Sequence, residues 1–282
     1  MNKLLQQYQQ DIALRGYSSN TQDNYFSKVK YFFDYTNNDP HVSEQNIKSY
    51  LYYLINDRKL SNEYIRSSYS ALKYFCVQTL DMPWVMDQIP RMKKTKKLPV
   101  WLTQKEVFKL IHNAANIKHK AILLIVYSSG LRVSEVSQLK LTDIIRDKMR
   151  INVRQGKGAR DRYTILSNIC LSYMEYYWKK YRPKYWLFPG KKYDQAISSR
   201  ACQHAFQLAK KNAGITKQCG IHSLRHSFAT HYLESGGGVF QLQSFLGHKR
   251  LKTTLVYLHI QEEKIQARSP LDVYGKEEQF IR

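Results

Sequence analysis

The apolar periodicity of this chain stops between Pro90 and Pro99, where Arg91, Lys93, Lys94, Lys96 and Lys97 crowd into a segment bracketed by helix-disfavouring prolines. This break constrains the fold most, because patterned sequence on both sides must bury a core of its own. At 282 residues the chain has room for two such cores. The expected division is a helical unit over residues 1–90, a basic linker over 91–99 and a larger unit over 100–282.

Before the break, apolar residues recur at helical spacing in three stripes: Tyr25, Val29, Phe32, Phe33; Ile47, Tyr50, Leu51, Leu54; and Ile65, Tyr69, Leu72, Phe75. Ser18 and Thr21 stand where an N-cap belongs, and Asp39-Pro40 and Asp57 to Ser61 supply breaks, so a small helical bundle is expected. The aromatic stripes are read as packing. After the break, Thr103 and Glu106 form the pattern of a capping box, and a second helix through Ile122 to Tyr127 is expected to stop near Gly130. Met149 to Val153 and Tyr163 to Leu166 alternate apolar and polar residues around Gly156-Lys157-Gly158, as in a β-hairpin with a flexible, lysine-bearing turn. The remainder reads as helix, giving a mainly α chain with a small antiparallel β-sheet in an α+β second unit.

The chain carries 45 Lys and Arg against 22 acids, a formal charge of +23, spread along nearly its whole length. Such an excess favours a polyanion, because each neutralised phosphate releases condensed counterions. A membrane surface is disfavoured: the longest apolar run, Ala121 to Tyr127, is far short of the roughly 18 to 20 residues that span a bilayer. Met1 to Asp11 lacks the apolar stretch of a secretory signal, so a cytoplasmic protein is expected. Cys76, Cys170, Cys202 and Cys219 lie far apart and read as reduced, mostly buried thiols. Gly156-Lys157-Gly158 lacks the Ser or Thr of a phosphate-binding loop. His222, His226 and His231 lack the further ligand of a zinc site, and His226 and His231 are read as structural.

Four segments carry the chemistry: Gly130-Leu131-Arg132-Val133-Ser134-Glu135, Gly156-Lys157-Gly158, His222-Ser223-Leu224-Arg225-His226, and Leu246-Gly247-His248 leading to Thr253-Thr254-Leu255-Val256-Tyr257. Breaking a phosphodiester without metal requires cations around the nonbridging oxygens, a nucleophile and an acid for the departing oxygen. Arg132 and Arg225 suit the first task, since a guanidinium is planar, bidentate and permanently charged, and His248 adds a third donor. Tyr257 is a nucleophile only if its proton is helped away, because phenol titrates near 10. Glu135, three residues beyond Arg132, is placed to orient it.

In order and spacing these segments resemble the tyrosine recombinase, or phage integrase, family from about Leu98 to Tyr257. The likeness extends to the first unit through Gly16-Tyr17-Ser18, Thr21, Tyr25 and Phe32. The resemblance implies an N-terminal SAM-like core-binding domain, a catalytic domain, and a clamp around duplex DNA joined by the Arg91 to Lys97 linker. It further implies attack by Tyr257 to leave a 3′-phosphotyrosyl link, with His222 assisting proton transfer and Lys157 acting as general acid. A tetramer on two duplexes follows, with no cofactor, metal or nucleotide. Gly238-Val239-Phe240 and the end after Tyr257 depart from the family's pattern. Three rivals stay open: a chromosome-dimer resolvase of the Xer kind, a type IB topoisomerase, and a DNA-binding regulator with an inactive pocket. The expectation adopted is the integrase of a mobile element.

Overall fold

A computed structural model describes residues 3–82, 84, 99–154 and 161–258. Lys157 with its flanking glycines, the linker cations Arg91, Lys93, Lys94, Lys96 and Lys97, and the segment after Leu258 lie outside the described residues. The chain divides into two compact units, Met1–Lys97 and Leu98–Arg282.

The first unit holds α1 (Lys3–Leu14), α2 (Ser19–Tyr35), α3 (Glu44–Asn56) and α4 (Asn62–Tyr74), the last running on into a π-helical turn, Phe75–Thr79. The three stripes become the inner faces of α2, α3 and α4. Helix α1 was not expected, yet it buries Leu5, Tyr8 and Ile12 at the same kind of spacing. Its glutamines fill the solvent side, so an amphipathic helix passed for broken polar sequence. Ser18 is the N-cap of α2, and its hydroxyl shares a 2.9 Å hydrogen bond with that of Thr21. Aromatic side chains fill the core as edge-to-face pairs, Phe32 on Tyr50 at 5.4 Å and Tyr8 on Phe75 at 5.2 Å between centroids. Such pairs add about 0.5–1.5 kcal/mol each beyond area burial, which supports the packing reading of the stripes.

The second unit contains α5 (Gln104–His112), α6 (Ile117–Ser129), α7 (Val133–Ser137), β1 (Ile144–Ile145), β2 (Arg150–Val153), β3 (Arg162–Ile165), α8 (Asn168–Tyr181), α9 (Ser199–Asn212), α10 (His222–Glu234), α11 (Val239–Leu246) and α12 (Leu251–Leu255). The expected capping box forms: Thr103 N–H donates to Glu106 at 2.7 Å, and Glu106 N–H donates back to the Thr103 hydroxyl at 3.3 Å. Helix α6 is apolar nearly all round and sits inside, against α8, α9 and α10. It ends at Gly130 in the left-handed region, φ +63°, where a Cβ would lie 2.4 Å from the Phe228 ring.

The hairpin is antiparallel, with Arg150 opposite Ile165 and Val153 opposite Arg162. A short β1, absent from the sequence reading, adds a third strand beside β2. The Thr164 hydroxyl donates to the Ser129 carbonyl at 2.7 Å and fastens the sheet to the end of α6. The expected class, mainly helical with a small antiparallel sheet, is what is found. Cys76, Cys170 and Cys202 are buried free thiols, and Cys219 is partly buried. No helix among the described residues is long and apolar enough to cross a membrane.

Candidate active site

Arg225 enters the site on α10, a helix buried on almost every side, and is itself only 4% exposed. Its charge is tolerated there because two helix ends offer it carbonyl oxygens. Nη1 donates to Gly130 O and Nη2 to Leu246 O, both at 2.7 Å, so Arg225 closes the C-termini of α6 and α11 at once. Burial, then repulsion from Arg132, draws its guanidinium down to about 10, still charged at neutral pH.

Glu135 organises the cations. Its Oε1 accepts from Arg132 Nη1 at 2.7 Å and Arg162 Nη1 at 2.8 Å, and its Oε2 from the Arg132 backbone N–H and Arg162 Nη2, both at 2.8 Å. Arg225 Nη1 lies 3.8 Å away. Burial alone would raise this carboxyl. The hydrogen bonds from Arg162 and the charges of Arg162 and Arg132 overcome it, leaving the group at about 2. Glu135 thus orients Arg132, as its spacing suggested, and also holds Arg162, which the sequence did not single out.

His248 follows Gly247, a left-handed residue at φ +62° that ends α11. Its Nε2 lies 3.2 Å from Arg225 Nη2 and its Nδ1 2.9 Å from the Thr254 hydroxyl. Burial, then the arginines led by Arg225, push this imidazole down to about 4. We assign it as neutral, accepting at Nε2 and donating at Nδ1.

Tyr257 is 4% exposed and packs with Phe228, Ala229, Leu233, Leu242 and Leu246. Its hydroxyl lies 2.9 Å from His226 Nδ1, and its ring stacks at 10° to that of His248. Burial raises the phenol pKa, while Arg225 and Arg132 pull it back. Burial, then His222 and Arg225, hold the His226 imidazole at about 4, so a neutral nitrogen faces the phenol.

The residues 4–85 match the family model "Phage integrase, N-terminal SAM-like domain", and 100–264 match "Phage integrase family". The chain belongs to the phage integrase family. It is a tyrosine-type site-specific DNA recombinase. The putative integrase/recombinase y4qK of Sinorhizobium fredii is 39% identical over 271 residues, 95% of this chain and 88% of the relative. The tyrosine recombinase XerA of Pyrococcus horikoshii is 37% identical over 196 residues, 67% of each chain. A crystal structure of XerA recombinase superposes with a TM-score of 0.56 at 26% identity, over 95% of this chain and 99% of that one. A lambda integrase tetramer bound to a Holliday junction shares the fold, with a TM-score of 0.75 at 18% identity over 94% of this chain and 79% of that one.

Within the recombinase, Arg132, Glu135, Arg225, His248 and Tyr257 converge from the start of α7, from α10, and from the turns after α11 and α12, although up to 125 positions separate them in the sequence. His222 opens α10 at a hollow it shares with Arg200, Gln203, His204 and Gln207, and it lies within the field of the site: burial first, then Arg225 and Arg132, lower its imidazole pKa. The histidine bonded to the Tyr257 hydroxyl is instead His226, which the sequence reading set aside as structural. His231, read in the same way, is buried, pairs its Nδ1 with the Tyr127 hydroxyl at 3.0 Å and meets Trp101 edge-on. Position 226 immediately follows Arg225, so its side chain points about 100° round the helix from the guanidinium. No spacing rule links it to a tyrosine 31 residues downstream.

Proposed function

We propose that this recombinase exchanges DNA strands through a 3′-phosphotyrosyl link at Tyr257, as the integrase of a mobile element acting in the cytoplasm. The observation that carries the reading is the Tyr257 hydroxyl, bonded to a neutral His226 within the field of Arg225 and Arg132. The phenolic oxygen attacks phosphorus, the P–O5′ bond breaks, and the 5′ oxygen leaves with a proton from Lys157. A 5′ hydroxyl from a partner duplex reverses the step, so the bond energy is kept and neither nucleotide nor metal enters the balance. Arg132 and Arg225 gain most as charge builds on the nonbridging oxygens, and that difference is catalysis. His226 is the nearest acceptor for the phenol proton, with His222 one turn back on the same helix.

The +23 charge supports duplex DNA as the partner, with Arg91, Lys93, Lys94, Lys96 and Lys97 along its backbone. Four protomers on two duplexes is the assembly we assign. A groove of about 560 Å³ supports it, lined by Phe108, Ile111, Leu124, Tyr127, Phe228 and Tyr232. In sequence, residues 259–282 carry Ile260, Ile265, Leu271 and Val273, the apolar complement such a groove would take from a second copy. The XerA likeness favours a second reading, chromosome-dimer resolution, which differs in the site used and not in the chemistry.

The test is capture of covalent adducts from a random-arm library of nicked duplexes. The parent chain should form an adduct and, on the duplex so selected, join strands from two sites. Tyr257→Phe should bind that duplex and form none. Loss of DNA binding with no adduct from the parent, or an adduct that survives in the Phe variant, overturns the reading; relaxation of supercoils without strand exchange assigns a type IB topoisomerase instead.

A further inference from the structure

We propose that Arg162 is a positioning residue for phosphoryl transfer, saturating Glu135 so that Arg225 is not drawn onto that carboxylate and its charge, with that of Arg132, stays directed at the scissile phosphate. The inference rests on the strand-exchange reading above. Arg162 opens β3 with its side chain 12% exposed, and it reaches two other segments. Its Nη atoms take Glu135 in a two-pronged bond, and its Nε donates to Phe245 O, in the last turn of α11, at 2.8 Å. A Cβ on Gly247 would sit 2.7 Å from Arg162 Cδ, so the turn that delivers His248 is shaped around this arginine.

The arrangement follows from the acceptor capacity of a carboxylate. Each oxygen of Glu135 accepts two hydrogen bonds, and Arg162 supplies one of the two on each. With Arg162 removed, a buried anion is left half satisfied, and the nearest cation able to answer is Arg225, whose Nη1 already stands 3.8 Å away. Arg225 would then leave the Gly130 and Leu246 carbonyls, and its charge would be spent on Glu135. Three arginines around one carboxylate leave a net charge of two, which suits a phosphorane-like transition state. Two arginines would leave one.

The discriminating measurement compares two scissile groups on the duplex selected with the parent chain: the ordinary phosphodiester, and a methylphosphonate in which one nonbridging oxygen is a methyl group and the charge is gone. Arg162→Gln should slow adduct formation on the phosphodiester about 10- to 100-fold, the usual range for a supporting residue. On the methylphosphonate, which asks less of the arginines, the loss should fall below about threefold. Arg162→Lys, keeping the charge without the fork, should lie between. In a Glu135→Gln background the further change Arg162→Gln should cost little, because the anion it serves is gone. Rates are referred to the fraction of each variant that binds the duplex, so partial unfolding does not enter. Equal losses on the two substrates, or losses that multiply in the double variant, overturn the proposal, as does a parent-like rate for Arg162→Gln. A parent chain without adduct refutes the strand-exchange reading itself and this inference with it.

Discussion

Mild acid should loosen the catalytic unit of the DNA-free recombinase, with His226 and His248 contributing most and the smaller downward shifts of His119 and His222 acting in the same direction. His226 and His248 each fall from the ordinary 6.5 to about 4, through burial first and neighbouring cationic groups second. A base with a lower pKa folded than unfolded is protonated first in the unfolded chain. Between pH 6.5 and 4 the unfolded state therefore holds more protons, stability rises with pH across that window, and it is lost as pH falls through it. At pH 5 the linkage amounts to roughly 2 kcal/mol per histidine at most, and about half that once solvent screening of these partly exposed rings is allowed for. Glu135 does not interfere: its folded value near 2 lies below its ordinary 4.5, so its contribution is intact at pH 5 and is lost only further down. With Trp84 of the first unit replaced by Phe, urea midpoints read from the emission of Trp101, Trp178 and Trp186, all in the catalytic unit, should drop between pH 7 and pH 5. In His226→Asn, which keeps a neutral group near the Tyr257 hydroxyl, the loss of stability should shrink by about 1 kcal/mol. A variant that loses as much stability over this interval as the parent would show that His226 is not held neutral, and the account of the Tyr257 hydrogen bond would fail with it.

His226→Phe should retain affinity for the selected duplex yet slow single-turnover adduct formation on the order of 100-fold, the usual contribution of a positioned proton acceptor; a rate within threefold of the parent's returns that role to His222. Phe108 is 60% exposed in the groove proposed to receive residues 259–282 of a second copy, so Phe108→Glu should fold and bind DNA normally but stop at complexes smaller than a tetramer in sedimentation, and full tetramers would refute that proposal.

What the sequence disclosed divides along physical lines. Helices α2, α3 and α4 were legible because each buries one face, and one-sided burial writes itself as a stripe. The end of α6 was legible because only glycine fits a left-handed residue pressed against Phe228. Helix α10 follows the opposite logic. It is buried on nearly all sides while carrying Ser223, Arg225, Ser227, Thr230 and His231, so no polar face marks its boundary and only its motif betrays it. Two of its polar groups find partners far away in sequence: Ser227, which donates to Ser223 O one turn back, accepts from the Leu102 N–H, and Arg225 draws carbonyls from two other helices. A central helix of this kind is polar because it serves as the hub of a site, and residues that hydrophobic periodicity scores as errors are the ones that carry function. Arg162 shows the same limit from the side of charge. Among 45 basic residues one more arginine carries no signal, and its meaning arises only where β3, Glu135 and the end of α11 meet. A cation that binds solvent and a cation that sets the charge of a catalytic pocket are the same letter in the sequence; burial and the number of lone pairs already taken on its partner tell them apart.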